Sequence, residues 1–454
     1  MEWKQQFLAS LDGVKGFEKD AFIHAHQTAA PVSIRLNPSK AFDSKDVFAA
    51  AGIMGEVPWC PDGYYLHNRP VFTLEPLLHA GAFYVQEASS MFIRHVLDSV
   101  FQQDKNLKAL DLCAAPGGKT TLIASLPYFG TVLANEIIQS RVGVLAENMV
   151  KWGSSHVLIS NNDPEEVARL GEQFDLVLTD APCSGSGLFR KDEAAMDEWS
   201  PAAVELCAAR QKRILQHAMS LVKDGGYLLY STCSYSLLEN EANADFIMAS
   251  GLFESVAIEV KDEWGIVKTE SAKHHASCFR FYPNRLSGEG FFCAMFRKTG
   301  GSSSAEHIQQ SKPFPAARIV QQWLQHPIPD MAFHMKDNTV FMLEAASFSA
   351  YQEWSGFLKI RKSGLKMGDL IREELVPDHE LAMSPYLNSE LPMIELDKEK
   401  AIRYLRKDEV SVGRAALGWH IVKYSNQAIG WAKMVNGRLK NHYPLNWRIL
   451  MQAR

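Results

Sequence analysis

Two cysteines lie in loops of small polar residues, Asp180-Ala181-Pro182-Cys183-Ser184-Gly185-Ser186-Gly187 and Ser231-Thr232-Cys233-Ser234. Each loop follows an apolar run that reads as a strand, Phe174 to Thr179 and Gly226 to Ser231, so each thiol falls just past a strand's carboxyl end. Most cysteines are buried small hydrophobes. Two at matched positions in polar loops are poorly explained by packing, and a thiolate is a strong nucleophile, so Cys183 and Cys233 are candidates for covalent chemistry.

On the same edge, the run Ala109-Leu110-Asp111-Leu112-Cys113-Ala114-Ala115-Pro116-Gly117-Gly118-Lys119-Thr120 follows a strand and opens a helix. Its two glycines let backbone approach a ligand at the carboxyl end of an open sheet. The run is neither G-x-G-x-x-G nor G-x-x-x-x-G-K-[ST], which removes the main support for a dinucleotide or a nucleoside triphosphate. Glu136 ends the next strand, 19 positions after Gly117. There it can accept hydrogen bonds from both hydroxyls of a ribose, or serve as a carboxylate at a helix N-terminus. Asp163, after the third strand, reads either as a partner for an adenine amino group or as a helix cap. Together these residues point to a nucleoside-bearing cofactor.

The elements that must position these groups alternate short apolar runs with amphipathic segments from residue 107 onward, the pattern of βαβ units and a mostly parallel sheet. Strands are expected at 107–112, 131–134, 156–160, 174–179 and 226–231. A long crossover helix is expected over 201–223, and a closing antiparallel pair is divided by 283–290. The first hundred residues, with alternation in Pro31 to Pro38, read as an α+β extension. Thr299-Gly300-Gly301-Ser302-Ser303-Ser304 reads as a linker. The domains expected are therefore 1–100, 101–298, the linker 299–304, an intermediate region 305–390 without a motif, and a β-rich module 391–454.

The chain has 454 residues, 46% hydrophobic, which is too long for one core. Its formal net charge is -5, yet residues 401–454 hold ten Lys and Arg against two Asp and Glu. That polarity leaves room for a polyanion partner. Seven scattered cysteines suggest neither a disulfide framework nor a zinc site. With no apolar span and no apolar signal core at the N-terminus, a soluble, reduced, cytoplasmic protein without metal or membrane partner is expected. His274-His275 has no metal-ligand spacing, and Trp152, Trp199 and Trp264 read as core residues rather than base-stacking ones.

The set Asp180-Ala181-Pro182-Cys183, Thr232-Cys233 and Asp111 to Lys119 resembles the Sun-type (Nop/Sun) RNA cytosine-5 methyltransferases. The resemblance spans roughly residues 30 to 298 and includes Arg35-Leu36-Asn37, Gln86-Glu87 and Gly290-Phe291-Phe292. By position and character, the basic tail is similar to the PUA-like module of bacterial ribosomal-RNA members. The resemblance implies a Rossmann-like α/β fold with a seven-stranded sheet, and S-adenosyl-L-methionine as cofactor. The cofactor would be held by Cys113, Ala114, Ala115, Pro116, Gly117, Gly118, Lys119, Glu136, Arg141, Asp163 and Asp180. It also implies roles. Cys233 adds to carbon 6 of a flipped cytosine so that carbon 5 can take a methyl group, and Cys183 assists release. Asp180 contacts the base's polar edge, and Lys119 lies close to ligand and thiols. The implied substrate is structured RNA, small-subunit ribosomal RNA or the assembled subunit first and transfer RNA second. Two rival readings are an RNA-binding assembly factor with an idle site and a DNA cytosine methyltransferase that attacks through Cys183.

Overall fold

The computed structural model describes residues 3–40, 51–300, 316–325 and 330–451. The N-terminal extension is built on an antiparallel sheet of β1 (Val32–Leu36), β2 (Ile53–Val57), β3 (Cys60–Leu66) and β4 (Phe83–Val85), in the order β2-β3-β1-β4. β1 is the strand read from the alternation around Pro31 to Pro38, and it carries Arg35 inward to full burial. A buried guanidinium is costly unless its donors are met. Arg35 Nε donates to Gln86 Oε1 at 2.9 Å and Nη2 to Thr121 Oγ1 at 2.6 Å, while the guanidinium lies 4.7 Å from the centre of the Trp152 ring. Asn37 Nδ2 donates to the carbonyls of Gly81 and Trp152. The Arg-Leu-Asn run thus fastens the extension to the helix after the Gly-Gly turn.

The central sheet contains β5 (Leu107–Asp111), β6 (Phe129–Asn135), β7 (Val157–Ser160), β8 (Phe174–Asp180), β9 (Val222–Thr232), β10 (Phe253–Ser255), β11 (Val267–Glu270), β12 (Ser277–Phe281) and β13 (Phe291–Lys298). β7, β6, β5, β8 and β9 run parallel in that order, then β13 and β12 follow antiparallel. Alternate residues feed two cores: Val132, Ala134, Leu176 and Leu178 face one layer of helices, whereas Leu133, Val177, Leu110 and Leu158 face the other. Helices 92–100, 118–123 and 139–152 cover the first face, and helix Pro201–Met219 lies on the second. The long helix stops at Met219, and the Asp224-Gly225-Gly226 turn expected after it lies inside β9, where the pairing with β8 shifts register. Trp152, Trp199 and Trp264 are all buried in cores.

The sheet is larger than the seven strands expected. β10 and β11, of three and four residues, are too short to register as periodic runs, and a tenth strand comes from beyond the expected linker. Residues 330–377 form β14 (Met331–Lys336), β15 (Thr339–Glu344), β16 (Ile360–Ser363), β17 (Leu365–Ile371) and β18 (Glu374–Pro377). Four of these make a sheet in the order β14-β15-β17-β18, but β16 pairs antiparallel with β7 and extends the central sheet. Helix Ala345–Trp354 lies against β6 and β7, with Trp354 fully buried against Phe174 and its Nε1 donating to Gln173 Oε1 at 2.9 Å. The separate unit expected after residue 304 is therefore locked into the preceding domain by a shared sheet and a shared core. Residues 301–304 of the expected linker lie outside the described residues.

The last sheet holds β19 (Met393–Glu395), β20 (Gly418–Tyr424), β21 (Gln427–Val435) and β22 (Arg438–Asn441). Its Ile394 and Ile429, with Tyr404 and Leu405 of helix Lys398–Arg406, share one core with Ile34, Leu66, Leu77 and Phe83 of the N-terminal extension. The first and last sheets of the chain therefore meet. If Trp354 belongs to the core of the central sheet, Trp354→Ala should cost about 3 to 5 kcal/mol in urea unfolding of the full chain. A loss below about 1 kcal/mol would show that this helix is only a cover.

Candidate active site

Parallel β5 sends its chain to β6 on one side, while β8 lies on its other side, so the strand order reverses at the carboxyl end of β5. Ligands of open α/β sheets bind at such a crevice. Here the chain leaves β5 at Asp111 and turns through Gly117, at φ 111° in the left-handed region, into helix Gly118–Ile123. A side chain at residue 117 would be strained. On one side of this turn is a cavity of about 470 Å³ lined by Cys113, Ala115, Glu136, Ile137, Ile138, Arg141, Pro164, Asp180, Cys183, Leu188, Arg210, Arg213 and Cys233 among others. On the other is a hollow of about 200 Å³ lined by Tyr84, Gln86, Glu87, Ser90, Asp111, Cys113 to Pro116, Gly118, Lys119 and Asp180.

The two thiols face each other in the larger cavity, with Sγ atoms 3.1 Å apart and both cysteines reduced. Their loops are pressed together at Gly187, whose amide donates to the Cys233 carbonyl at 2.7 Å. A Cβ there would meet that carbonyl oxygen at 2.6 Å and the Gly290 oxygen at 2.5 Å, so only glycine fits. The hydrogen bond with Cys233 and then burial hold the Cys183 thiol well above its ordinary range.

Asp180, at the end of β8, accepts from Lys119 Nζ at 2.8 Å on one oxygen and from Ser231 Oγ at 2.8 Å on the other. Burial pulls the Lys119 ammonium down, but Asp180, with Asp111 and Cys233 behind it, outweighs that and leaves the group above its ordinary value. Lys119 is thus a fixed cation, also 5.6 Å from the centre of the Phe291 ring. Glu136 is buried and accepts from the amides of Ala115 and Ile138 at 3.3 and 2.8 Å, with Arg141 Nη1 at 3.6 Å. A carboxylate has about four acceptor positions, so capacity for a diol remains. Arg141 Nη2 also donates to the Ala115 carbonyl at 2.6 Å, bracing the loop.

Most of the residues singled out in the sequence converge on this one crevice. Asp163 stands somewhat apart. It caps helix Pro164–Val167, taking the Glu165 amide at 2.9 Å, with Glu166 completing a capping box, and its other oxygen faces Arg213 at 3.2 Å. Of its two sequence readings, the cap is the one this geometry displays; the next residue, Pro164, lines the cavity.

Two acids in the site went unread in the sequence. Asp111 belongs to the loop motif, and it is buried where it lines the smaller hollow. Thr120 Oγ1 donates to its Oδ2 at 2.7 Å, and its Oδ1 has no partner among the described residues. Burial pushes its carboxyl up to about 7. Glu239, fully buried, reaches the residue after each cysteine. Its only sequence signal is a dense acidic and amide run, Glu239-Asn240-Glu241-Ala242-Asn243, just where a helix begins.

A parallel sheet of this order, with a glycine turn at its switch point and carboxylates beside it, defines a Rossmann-like methyltransferase, here with two thiols added to its site. Comparison with known proteins agrees. Residues 99–297 match the model described as 16S rRNA methyltransferase RsmB/F, residues 4–88 the N-terminal domain of 16S rRNA methyltransferase RsmF, and residues 392–449 the methyltransferase RsmF PUA domain. Ribosomal RNA small subunit methyltransferase F of Shewanella sp. (strain W3-18-1) is 31% identical over 94% of this chain and 92% of its own length. The protein of that name from Vibrio cholerae is 31% identical over 93% and 92%. A methyltransferase homologue from Pyrococcus horikoshii superposes with a TM-score of 0.52 at 26% identity, covering 65% of this chain and 99% of that one. The chain belongs to the RsmB/F family of 16S rRNA methyltransferases.

Asp111 makes the site legible to pH. Its folded pKa near 7 lies above the unfolded value of 3.8, so the folded state binds the extra proton and loses stability as pH rises between them. Relative to the native protein, Asp111→Asn should therefore gain up to about 1.4 kcal/mol per pH unit across that window and level off above it. Urea unfolding at a series of pH values checks this; a pH-independent difference would place an ordinary, ionised carboxylate at Asp111.

Proposed function

We propose that this enzyme transfers the methyl group of S-adenosyl-L-methionine to carbon 5 of a cytosine in small-subunit ribosomal RNA, with Cys233 as covalent nucleophile and Cys183 as its partner in release. The observation that carries the reading is the pair of thiols 3.1 Å apart in the same cavity as Glu136 and Asp180. The cavity's volume suits a nucleoside. Its apolar wall of Ile137, Ile138 and Pro164 suits an adenine face, and Glu136 retains acceptor capacity for a ribose. Asp163, already engaged as a cap, would reach an adenine amino group only with its remaining acceptor positions. When bound, the cofactor supplies an electrophilic methyl group.

Carbon 5 of cytosine is too weak a nucleophile to take that methyl unaided. A sulfur adding at carbon 6 places electron density on carbon 5; after transfer, carbon 5 loses its proton and the carbon–sulfur bond breaks. The proton distribution supports the division of labour. Cys183, whose thiol the contact with Cys233 and burial hold above its ordinary range, is the member suited to proton handling in release, and the attacking role of Cys233 follows the Thr-Cys pattern of the family it resembles. Asp180, with Lys119 fixed beside it, lines both the cavity and the hollow and is placed to hold the polar edge of a flipped base. On the basic tail, Arg403, Arg414, Arg438, Lys440 and Arg448 remain exposed, as phosphate contacts require. Among the described residues no helix is long and apolar enough to cross a membrane.

The test separates the thiols. Incubated with small-subunit ribosomal RNA and S-adenosyl-L-methionine, Cys183→Ala should accumulate a denaturant-resistant protein–RNA adduct carrying methylated cytosine, whereas Cys233→Ala should give neither adduct nor product. An adduct in Cys233→Ala instead would reverse the two roles. No adduct in either variant would refute the covalent step, and bisulfite sequencing of the RNA would identify the modified base.

A further inference from the structure

We propose that Glu239 is a positioning residue for this reaction: its carboxylate clamps the two cysteine loops to one another and so sets the thiols face to face. The inference rests on the two-thiol reading above. Glu239 has no exposure to solvent. Its Oε1 accepts from the Ser184 amide at 2.8 Å and Gln211 Nε2 at 3.1 Å, and its Oε2 from Ser184 Oγ at 2.6 Å and Ser234 Oγ at 2.5 Å. Ser184 and Ser234 are the residues directly after the two cysteines. One carboxylate therefore bridges the two catalytic loops, with all four of its acceptor positions filled by neutral donors.

That complete set of hydrogen bonds is what lets a carboxylate sit dry at the floor of the site. Its own backbone is pinned as well, since the Glu239 carbonyl accepts from Tyr230 on β9 and from Asn243. Thr232 Oγ1 donates to Asn240 Oδ1, and Asn240 Nδ2 donates to the Ser234 carbonyl. The thiols thus lie between two ties: Gly187 on the Cys233 carbonyl, and Ser184–Glu239–Ser234. The charge acts in the same sense as the geometry. Behind the hydrogen bond with Cys233, burial and the charge of Cys233, Glu239 adds a smaller push in the same direction on the Cys183 thiol. Glutamine has the same shape but one acceptor oxygen, so if that oxygen keeps the Ser184 and Ser234 hydroxyls its amide nitrogen faces the Ser184 amide and Gln211 Nε2, donor against donor.

The experiment uses the full-length protein with Glu239→Gln, Ser234→Ala and the double variant. The first readout needs no RNA: the rate at which dibromobimane, a bifunctional thiol reagent, bridges Cys183 and Cys233, located by mass spectrometry. The second is the single-turnover rate of RNA methylation. Affinity for S-adenosyl-L-methionine and thermal unfolding report on the rest of the fold. Glu239→Gln should slow bridging roughly tenfold and methylation by about 100-fold, the scale expected when reacting groups shift by an ångström. Cofactor affinity should hold, and the double variant should be no worse than Glu239→Gln alone. Bridging and methylation at native rates in a folded Glu239→Gln would overturn the clamp. So would additive losses in the double variant, or a fall in activity matched by an equal fall in cofactor affinity. If Glu239→Gln fails to fold, Ser184→Ala/Ser234→Ala keeps the carboxylate, removes its hydroxyl donors and is read by the same criteria. A native protein that methylates no RNA, yet shows bridging that depends on Glu239, would refute the proposed reaction while upholding the clamp.

Discussion

β8 and β9 run parallel in a register that pairs Thr179 with Tyr230 and Asp180 with Ser231, and the site depends on it. From that level one strand continues three residues to Cys183 and the other two residues to Cys233, so the thiols emerge beside each other. The same register puts Ser231 within reach of Asp180, which leaves its second oxygen for Lys119. A slip of one position would turn Asp180 or Ser231 to the opposite face of the sheet and separate the cysteines. Burial of alternate residues in two different cores makes such a slip prohibitive, so packing far below the site sets its geometry.

Around this pair the protein places four acids and treats each differently. Asp180 is neutralised by an ammonium, Glu136 is held by amides and an arginine, Glu239 by neutral donors, and Asp111 has one oxygen with no hydrogen-bond partner among the described residues. The consequence is graded. The satisfied acids are fixed dipoles and charges, whereas Asp111 takes up a proton near neutrality because burial outweighs the Thr120 hydrogen bond and the Lys119 charge that favour its anion. A crevice rimmed by carboxylates also suits a ligand bearing positive charge, as a methyl sulfonium does.

Much of this was legible in the residues, and what was not has a physical reason. The thiols, Asp180, Glu136 and the glycine turn lie directly at strand ends, where local pattern and spacing are informative. Asp163 kept two readings because cap and ligand chemistry use the same carboxylate. Glu239 was missed because its partners, Ser184 and Gln211, are distant in the chain, and no local pattern marks a carboxylate that turns inward. The same holds for β16 and Trp354. Strand pairing and core contacts between distant segments leave no periodic trace, so a run of glycine and serine looked like a boundary between parts that in fact share a sheet.

That shared sheet has a consequence for the order in which the protein is made. β7 receives its outer partner from Ile360–Ser363, 200 positions further along the chain. On a ribosome, the two cysteines, the glycine turn and all nine other strands of the sheet emerge while the far edge of β7 still presents unpaired amides and carbonyls and the site for Trp354 is uncovered. Such an edge is a template for pairing with other chains. Pairings so distant in sequence close slowly. The nascent enzyme therefore passes through a stage in which its catalytic half is translated but open along one side, the stage at which chaperone contact would matter most.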